Sequence, residues 1–154
     1  MKQGILVPFD GSANATEALR VAIDMAKAFK EKIVLLNVQP SFETPHTKRF
    51  FSQAQIDDYR VQMAGEALQS GEDILKRSGV EFMTKTRVGD AREQICQEAR
   101  ADSAEGGVCK DSGMRFIVMG SRGLNALFGS ILGSVSTGVL HHAPCPVTIV
   151  PYSC

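Results

Sequence analysis

The most informative segment of the sequence is Phe116-Ile-Val-Met-Gly-Ser-Arg-Gly123, followed after nine further residues by Gly133-Ser134. A short apolar run typical of a buried strand leads into a glycine-spaced loop, and Gly133-Ser134 opens an apolar-periodic segment typical of a helix. Glycine lets a ligand approach the main chain, and the first N–H groups of a helix lack intrahelical partners. The spacing Gly-x2-Gly-x9-Gly-Ser therefore predicts a site where backbone binds an anion, with phosphate as the expected guest. The alternative is an ordinary flexible loop.

Length and composition indicate one domain that spans residues 1–154. The chain has 154 residues, of which 44% are hydrophobic and 22% are charged, and its formal net charge is zero. That balance gives no electrostatic case for nucleic acid or an anionic membrane as the main partner. The sequence contains neither an apolar run of membrane-spanning length nor a signal-peptide core after Met1, so we expect a cytoplasmic protein.

Strand and helix patterns alternate along the chain. Buried-type strands are predicted at 5–7, 32–38, 80–88, 116–119 and 147–150, and helices are predicted from Ser12 or Asn14, over 56–78, from Gly89-Asp90, and over 134–142. Asn14 and Glu17 have the spacing of a capping box. The polar stretch 39–55 is predicted to be a loop or a partly ordered insertion, and 101–113 a surface excursion.

This alternation predicts an α/β fold with a single, doubly wound, five-stranded parallel sheet and helices on both faces. Right-handed crossovers give the strand order 3-2-1-4-5. Strands 1 and 4 are then neighbours at the point where the winding reverses. The loops after Val7 and Met119 should therefore open one crevice at the carboxyl ends of the strands.

Two side chains in these loops have alternative roles. Asp10 could hold Mg²⁺ or accept a hydrogen bond from a ribose hydroxyl, or it could cap the first helix or turn. Arg122 could pair with a phosphate or face solvent. The loop lacks the Gly-Lys-[Ser/Thr] ending of a P-loop, and neither loop supplies a group to orient water. The sequence thus favours holding a nucleotide over hydrolysing it rapidly.

Several motifs together resemble the universal stress protein family. They are Val-Pro-Phe-Asp-Gly-Ser at 7–12, Leu-Leu-Asn-Val at 35–38, Val-Gly-Asp at 88–90, Ile-Val-Met-Gly-Ser-Arg-Gly at 117–123, Gly-Ser-Val at 133–135 and the closing Pro-Cys-Pro-Val-Thr-Ile-Val. The likeness covers the whole chain apart from 39–55 and 101–113. It implies an adenine nucleotide alpha hydrolase-like fold of the subclass that binds ATP through the same glycine spacing.

The resemblance also implies residue roles. Pro8, Phe9 and Asp10 would line the adenosine side and Val38 would contact adenine. The ribose and phosphates would be held by Met119, Gly120, Gly123, Gly133, Ser134 and Val135. Family members usually dimerise through the last strand, here 147–150, which suits an edge strand in need of cover. Phe9 stands where a smaller residue is common, so it could narrow the crevice.

The expected function is therefore regulatory. A nucleotide-binding protein that holds ATP, ADP or AMP, with Mg²⁺ on Asp10 as an option, would act as a sensor in stress response for partner proteins. One alternative is a slow Mg²⁺-dependent ATPase or phosphotransferase that uses Asp10. Another is a dimeric interaction module whose crevice takes no nucleotide.

Overall fold

The computed structural model describes residues 4–41, 44–100, 113–122 and 132–152. Within these ranges the elements are β1 (Ile5–Pro8), α1 (Ala13–Phe29), β2 (Ile33–Gln39), α2 (Pro45–Phe50), α3 (Gln53–Ser78), β3 (Phe82–Val88), α4 (Ala91–Arg100), β4 (Phe116–Gly120), α5 (Ser134–His142) and β5 (Val147–Val150). None of the helices in these ranges combines the length and the apolar composition that crossing a bilayer requires.

The five strands form one sheet in the order β3-β2-β1-β4-β5, and every neighbouring pair is parallel. The predicted order 3-2-1-4-5 is confirmed. β1 lies at the centre, where Ile5, Leu6 and Val7 are fully buried. This burial explains why the strand is a continuous apolar run rather than an alternating one.

Helices cover both faces of the sheet and bury two separate apolar clusters. On one face, Val7 packs in a cluster with Leu19 of α1 and Leu75 of α3. On the other face, Leu6 packs in a cluster with residues of α4 and α5, including Ile95. Successive residues of β1 thus point to opposite layers, as the pleat of a strand requires.

The described residues of the stretch 39–55 include more regular secondary structure than its polar composition suggests. It contains the six-residue helix α2, whose N-cap Thr44 accepts a hydrogen bond from the N–H of Thr47. α3 then begins at Gln53, three residues before the predicted start, because Ser52 and Gln55 form a complete capping box. Of the other irregular stretch, 101–113, the structure describes only Gly113.

α3 is longer than the sheet that it covers. Its 26 residues span about 39 Å, whereas the seven residues of β2 span about 23 Å. A β-carbon built on Gly71, in the second half of α3, would lie 2.8 Å from Leu35 near the start of β2. The first turns of α3 therefore extend past the carboxyl edge of the sheet, where β2 ends.

Candidate functional site

The turn after β1 is held by main-chain contacts to β2. The N–H of Phe9 donates to the carbonyl of Leu36 at 2.7 Å, and the carbonyl of Phe9 accepts from Nδ2 of Asn37 at 2.9 Å. Nε2 of Gln39 in turn donates to Oδ1 of Asn37 at 2.5 Å. Asn37 and Gln39 are both buried, so this chain of hydrogen bonds fixes the position of the turn against β2.

The side chain of Phe9 belongs to the core. It is 3% exposed, and a β-carbon on Gly71 of α3 would lie 3.0 Å from its Cε1 atom. The ring packs in the cluster under α1 and α3 because Gly71 leaves space for it. The resemblance suggested that Phe9 could narrow the crevice, whereas in the structure its ring lies between the helices and the sheet.

Asp10 shapes the turn that leads into α1. Its Oδ1 accepts a hydrogen bond from the N–H of Ser12 at 3.0 Å, and Gly11 between them has φ +82°. This is the local turn-forming role that the sequence offered as one alternative. The carboxylate is half-buried at the carboxyl edge, so the same turn also presents it next to the point where the winding reverses.

α1 begins at Ser12, and Asn14 has a different role from the predicted cap. Oγ of Ser12 accepts from the N–H of Ala15 at 3.1 Å, which makes Ser12 the N-cap. Asn14 is 3% exposed and its Nδ2 donates to the carbonyl of Val150 at 3.1 Å, at the end of β5. Its Oδ1 accepts from the N–H of Arg122 at 2.9 Å. Asn14 thus ties α1 to the loop after β4 and to β5.

The loop after β4 is closed by short contacts. The N–H of Gly133 donates to the carbonyl of Ser121 at 2.7 Å, and the N–H of Ser121 donates to the carbonyl of Val150 at 2.9 Å. Oγ of the buried Ser136 lies 2.9 Å from the carbonyl of Gly120. These bonds bring the two ends of the glycine-spaced loop together. Gly123 lies outside the described residues.

The first turn of α5 begins at this closure. Gly133 is the N-cap of the helix and has no side chain to accept from the first-turn N–H groups. Ser134 is exposed, whereas Val135 packs against the cluster under α4 and α5. The positive end of the helix dipole and its N–H donors are thus presented at the carboxyl edge of the sheet.

Val38 is the predicted site residue that comes from β2, the strand next to β1. It is half-buried in β2 and packs against the apolar cluster that contains the buried Met119 of β4. At this edge the structure assembles nearly all of the predicted residues, by side chain or by main chain: Pro8, Phe9 (main chain), Asp10, Val38, Met119, Gly120, Arg122 (main chain), Gly133, Ser134 and Val135. Asn14, Asn37 and Gln39 support these residues and were not identified as site residues from the sequence.

Within the described ranges, no three side chains of metal-binding type cluster into a site of their own. Mg²⁺ binds commonly through one or two carboxylates, with phosphate oxygens and water as the other ligands. Asp10 fits the protein's part of such a shell, because it is a carboxylate at the edge where phosphate is expected.

Comparisons with known proteins identify the family of the chain and match its fold. The model of the universal stress protein family matches residues 1–106 and 107–151. A protein of Staphylococcus haemolyticus described as a universal stress protein is 28% identical over 149 residues, covering 96% of this chain and 84% of the relative. The structure of the universal stress protein UspA from Lactobacillus plantarum has a TM-score of 0.76 at 24% identity, covering 96% of this chain and 97% of the other.

Two further solved structures share the fold and contain adenine nucleotides. A universal stress protein from Archaeoglobus fulgidus in complex with dAMP has a TM-score of 0.67 at 21% identity, covering 96% of both chains. A family protein from Arabidopsis thaliana with AMP bound has a TM-score of 0.66 at 22% identity, covering 99% of this chain and 93% of the other. The chain described here belongs to the universal stress protein family.

Proposed function

We propose that this protein binds an adenine nucleotide between the turn after β1 and the N-terminus of α5, and that partner proteins recognise its ATP-bound state. The observation that carries the proposal is the start of α5. There, an N-cap without a side chain leaves first-turn N–H groups for an anion at the same edge as Asp10. Each charge-assisted hydrogen bond to a phosphate contributes about 1.5–3 kcal/mol.

Adenine as the base is supported by the relatives whose structures contain AMP and dAMP. The choice of ATP follows from the family resemblance, because the Gly-x2-Gly-x9-Gly-Ser spacing of this chain is the signature of the ATP-binding subclass. In this proposal Val38 contacts adenine, Asp10 binds the ribose or a Mg²⁺ ion, and Gly120, Gly133 and Ser134 face the phosphates.

The side chains in the loops after β1 and β4 favour a regulatory role over ATP hydrolysis. Segments 8–12 and 119–135 contain no lysine, histidine, glutamine or glutamate, and Asp10 is their one acid. Phosphoryl transfer needs groups that position the attacking water and neutralise charge on the γ-phosphate. Arg122 is the one cation in these loops, and its main chain is held by Asn14.

We propose further that two copies pair through β5. The carbonyls of Pro146 and Val150 accept from the N–H groups of Ile117 and Ser121 on the β4 side. Because main-chain groups alternate in direction along a strand, those of Val147 and Ile149 point away from β4. They leave an edge that a second copy can pair with.

The nucleotide released when the expressed protein is denatured tests the proposal directly. Mass spectrometry of the released fraction should show ATP, ADP or AMP, and calorimetry on the stripped protein should show binding of ATP. Gly123→Val should weaken that binding by crowding the loop. Equal ATP affinity of the variant and the wild type, or no adenine nucleotide binding by either, would contradict the proposal. A single-turnover assay with labelled ATP separates binding from hydrolysis.

A further inference from the structure

The start of α4 lies at the same edge of the sheet as the proposed site. The N–H of Gly89, just before the helix, donates to the carbonyl of Gln39, the last residue of β2, at 2.9 Å. Ala91 packs against the same apolar cluster as Val38 and Val135. The first turn of α4 is therefore beside the end of β2, on the sheet face that α5 also covers.

The side chain of Arg92 lies across α5 because Gly138 leaves space for it. A β-carbon built on Gly138 would collide with Cδ of Arg92 and would lie 2.7 Å from its Cγ. In a helix each Cα–Cβ bond tilts towards the N-terminus, so this space is on the side of Gly138 that faces the first turn of α5. Ser134, four residues earlier, is a neighbour of Gly138 on the same helix face. The methylene groups of Arg92 thus rest on the N-terminal half of α5.

Asp90 orients the guanidinium at the end of this stem. Nε of Arg92 donates to Oδ1 of Asp90 at 3.1 Å, and Nη2 donates to Oδ2 at 2.8 Å, the two-point geometry of an arginine–carboxylate pair. Oδ1 also accepts from the N–H of Glu93 at 3.2 Å, which ties the carboxylate to the start of α4. Because Asp90 precedes α4, these bonds direct the guanidinium towards the carboxyl edge. They do not use the N–H groups of Nη1, and 53% of the Arg92 side chain is exposed.

A phosphate bound by the first N–H groups of α5 would be within reach of this guanidinium. The N–H of Val135 precedes Gly138 by three residues, about 4.5 Å along the helix axis. Cδ of Arg92 lies on that side of Gly138, and the guanidinium continues beyond it towards the carboxyl edge. A charge-assisted hydrogen bond spans about 2.8 Å more. Arg92 thus adds a positive charge to that of Arg122, the one cation of segments 8–12 and 119–135.

We propose that Arg92 binds a phosphate group of the nucleotide at the start of α5, with Asp90 and Gly138 as the residues that position it. The site then prefers AMP and ATP over adenosine. This inference rests on the proposed function and adds a residue from outside the two loops that were expected to bind the ligand. Because Asp90 already orders the Arg92 side chain, less conformational entropy is lost when the phosphate binds.

The first test compares Arg92→Met with Arg77→Met, which removes an exposed arginine near the end of α3. Calorimetry measures the affinity of each protein for adenosine, AMP and ATP. Arg92→Met should lose about tenfold or more in affinity for AMP and ATP and little for adenosine, as expected for a lost charge-assisted bond. Arg77→Met should match the wild type. An equal loss for adenosine and AMP in Arg92→Met would overturn the inference, because it would indicate a general distortion of the site.

The second test uses Gly138→Ala, whose β-carbon displaces the stem of Arg92. This variant should also bind AMP less tightly than the wild type while its affinity for adenosine stays the same. Adding Gly138→Ala to Arg92→Met should cause little further loss, since both changes act on one side chain. A further loss as large as that of Gly138→Ala alone would contradict the positioning role of Gly138. Circular dichroism confirms that each variant is folded.

The outcomes separate this inference from the proposed function. If the wild type binds AMP and ATP and Arg92→Met binds them equally well, only the inference is overturned. If the wild type binds neither adenosine nor its phosphates, the proposed function fails and the role of Arg92 fails with it. Should Arg92→Met not fold, Arg92→Lys takes its place and should show a smaller loss for AMP. A wild-type ratio of AMP to adenosine affinity in Arg92→Lys would then overturn the inference.

Discussion

The α-carbon of Gly120 lies so close to the amide of Asn14 that a β-carbon at position 120 would come within 2.7 Å of Oδ1. Gly120 ends β4, and Asn14 accepts from the N–H of Arg122 two residues later. The glycine therefore lets α1 approach the strand, and the buried amide uses that approach to hold the loop. This pair links the packing of the helix to the shape of the crevice.

The first prediction follows from that approach. Gly120→Ala should lower the free energy of unfolding by about 1–3 kcal/mol, because either Asn14 or the loop has to move. Urea denaturation measures the change. Gly65→Ala is the matched control, since a β-carbon there would meet no atom within 4 Å beyond the adjoining backbone of its own helix. It should stabilise α3 by about 0.5–1 kcal/mol. Equal stability of the two variants would contradict the close contact.

The second prediction concerns Asn14 itself. Asn14→Ala should cost about 2 kcal/mol, because the carbonyl of Val150 and the N–H of Arg122 both lose a buried partner. Hydrogen exchange at the Arg122 amide should also accelerate. Ser12→Ala removes only the N-cap of α1 and should cost about 1 kcal/mol without affecting that amide. Slow exchange at Arg122 in Asn14→Ala would show that the loop is held by something else.

The third prediction is that a negative charge at Ser134, in the first turn of α5, raises the stability of the fold and lowers its affinity for ATP. Ser134→Asp places a negative charge in the first turn, so it should stabilise the helix by about 0.5 kcal/mol through the dipole. The same charge should repel phosphate and weaken ATP binding about tenfold or more. Thermal denaturation and calorimetry measure the two effects, with Ser134→Asn as the neutral control. A gain in stability with wild-type ATP affinity would place the phosphates away from α5.

The fourth prediction is that the stability of the fold depends on pH through Glu98 of α4. Glu98 is buried and accepts from Nζ of Lys85 and Nη1 of Arg87, both at 2.6 Å. Burial alone would raise the pKa of Glu98, but these hydrogen bonds outweigh it and hold the pKa below that of an ordinary glutamate. The ion pairs should therefore stabilise the fold fully above the ordinary glutamate pKa of about 4.3, and the contribution should disappear as pH falls through the lowered pKa.

Glu98→Gln tests this dependence. At pH 7 the variant should be less stable than the wild type by about 2 kcal/mol, and the difference should shrink below about pH 4. Glu93→Gln, on the exposed side of the same helix, should show little change at either pH. A difference between wild type and Glu98→Gln that stays constant from pH 7 to pH 3 would contradict the ionised pair.

The fifth prediction addresses the edge of the sheet. Ile149→Pro removes an N–H group that points away from β4, so the fold should persist while pairing with a second copy is lost. Sedimentation should give twice the chain mass for the wild type and for Ile149→Val, and a single chain mass for Ile149→Pro. Circular dichroism confirms that the proline variant is folded. A folded Ile149→Pro that still sediments as a dimer would move the interface elsewhere.

The fold was predictable because the sequence patterns that determine it lie within short segments of the chain. Continuous apolar strands such as Ile5 to Val7 and the alternation of strands with helices lead to a parallel sheet. The helix α2 was missed although its start has a signal, since Thr44 followed by Pro45 is a typical N-cap and first helical position. The polar composition of 39–55 was given more weight than those two residues.

The supporting contacts of the site were not predictable, because they join residues that are distant in sequence. Asn14 and Val150 are bonded across nearly the whole chain, and nothing in the neighbourhood of either residue indicates the other. Phe9 packs into a space that Gly71 provides on a helix from another part of the chain. The local spacing of Asn14 and Glu17 instead suggested a capping box, while Ser12, two residues earlier, is the N-cap.

The bond between Asn14 and Val150 also has a consequence for synthesis. α1 is translated before β5, so the buried amide of Asn14 is synthesised 136 residues ahead of its acceptor. Until β5 arrives, Asn14 lacks one of its partners and β4 is an open edge. A nascent chain that stops short of β5 would lack both the acceptor for Asn14 and the strand that pairs with β4. The crevice is therefore complete only in a chain that has been translated through β5.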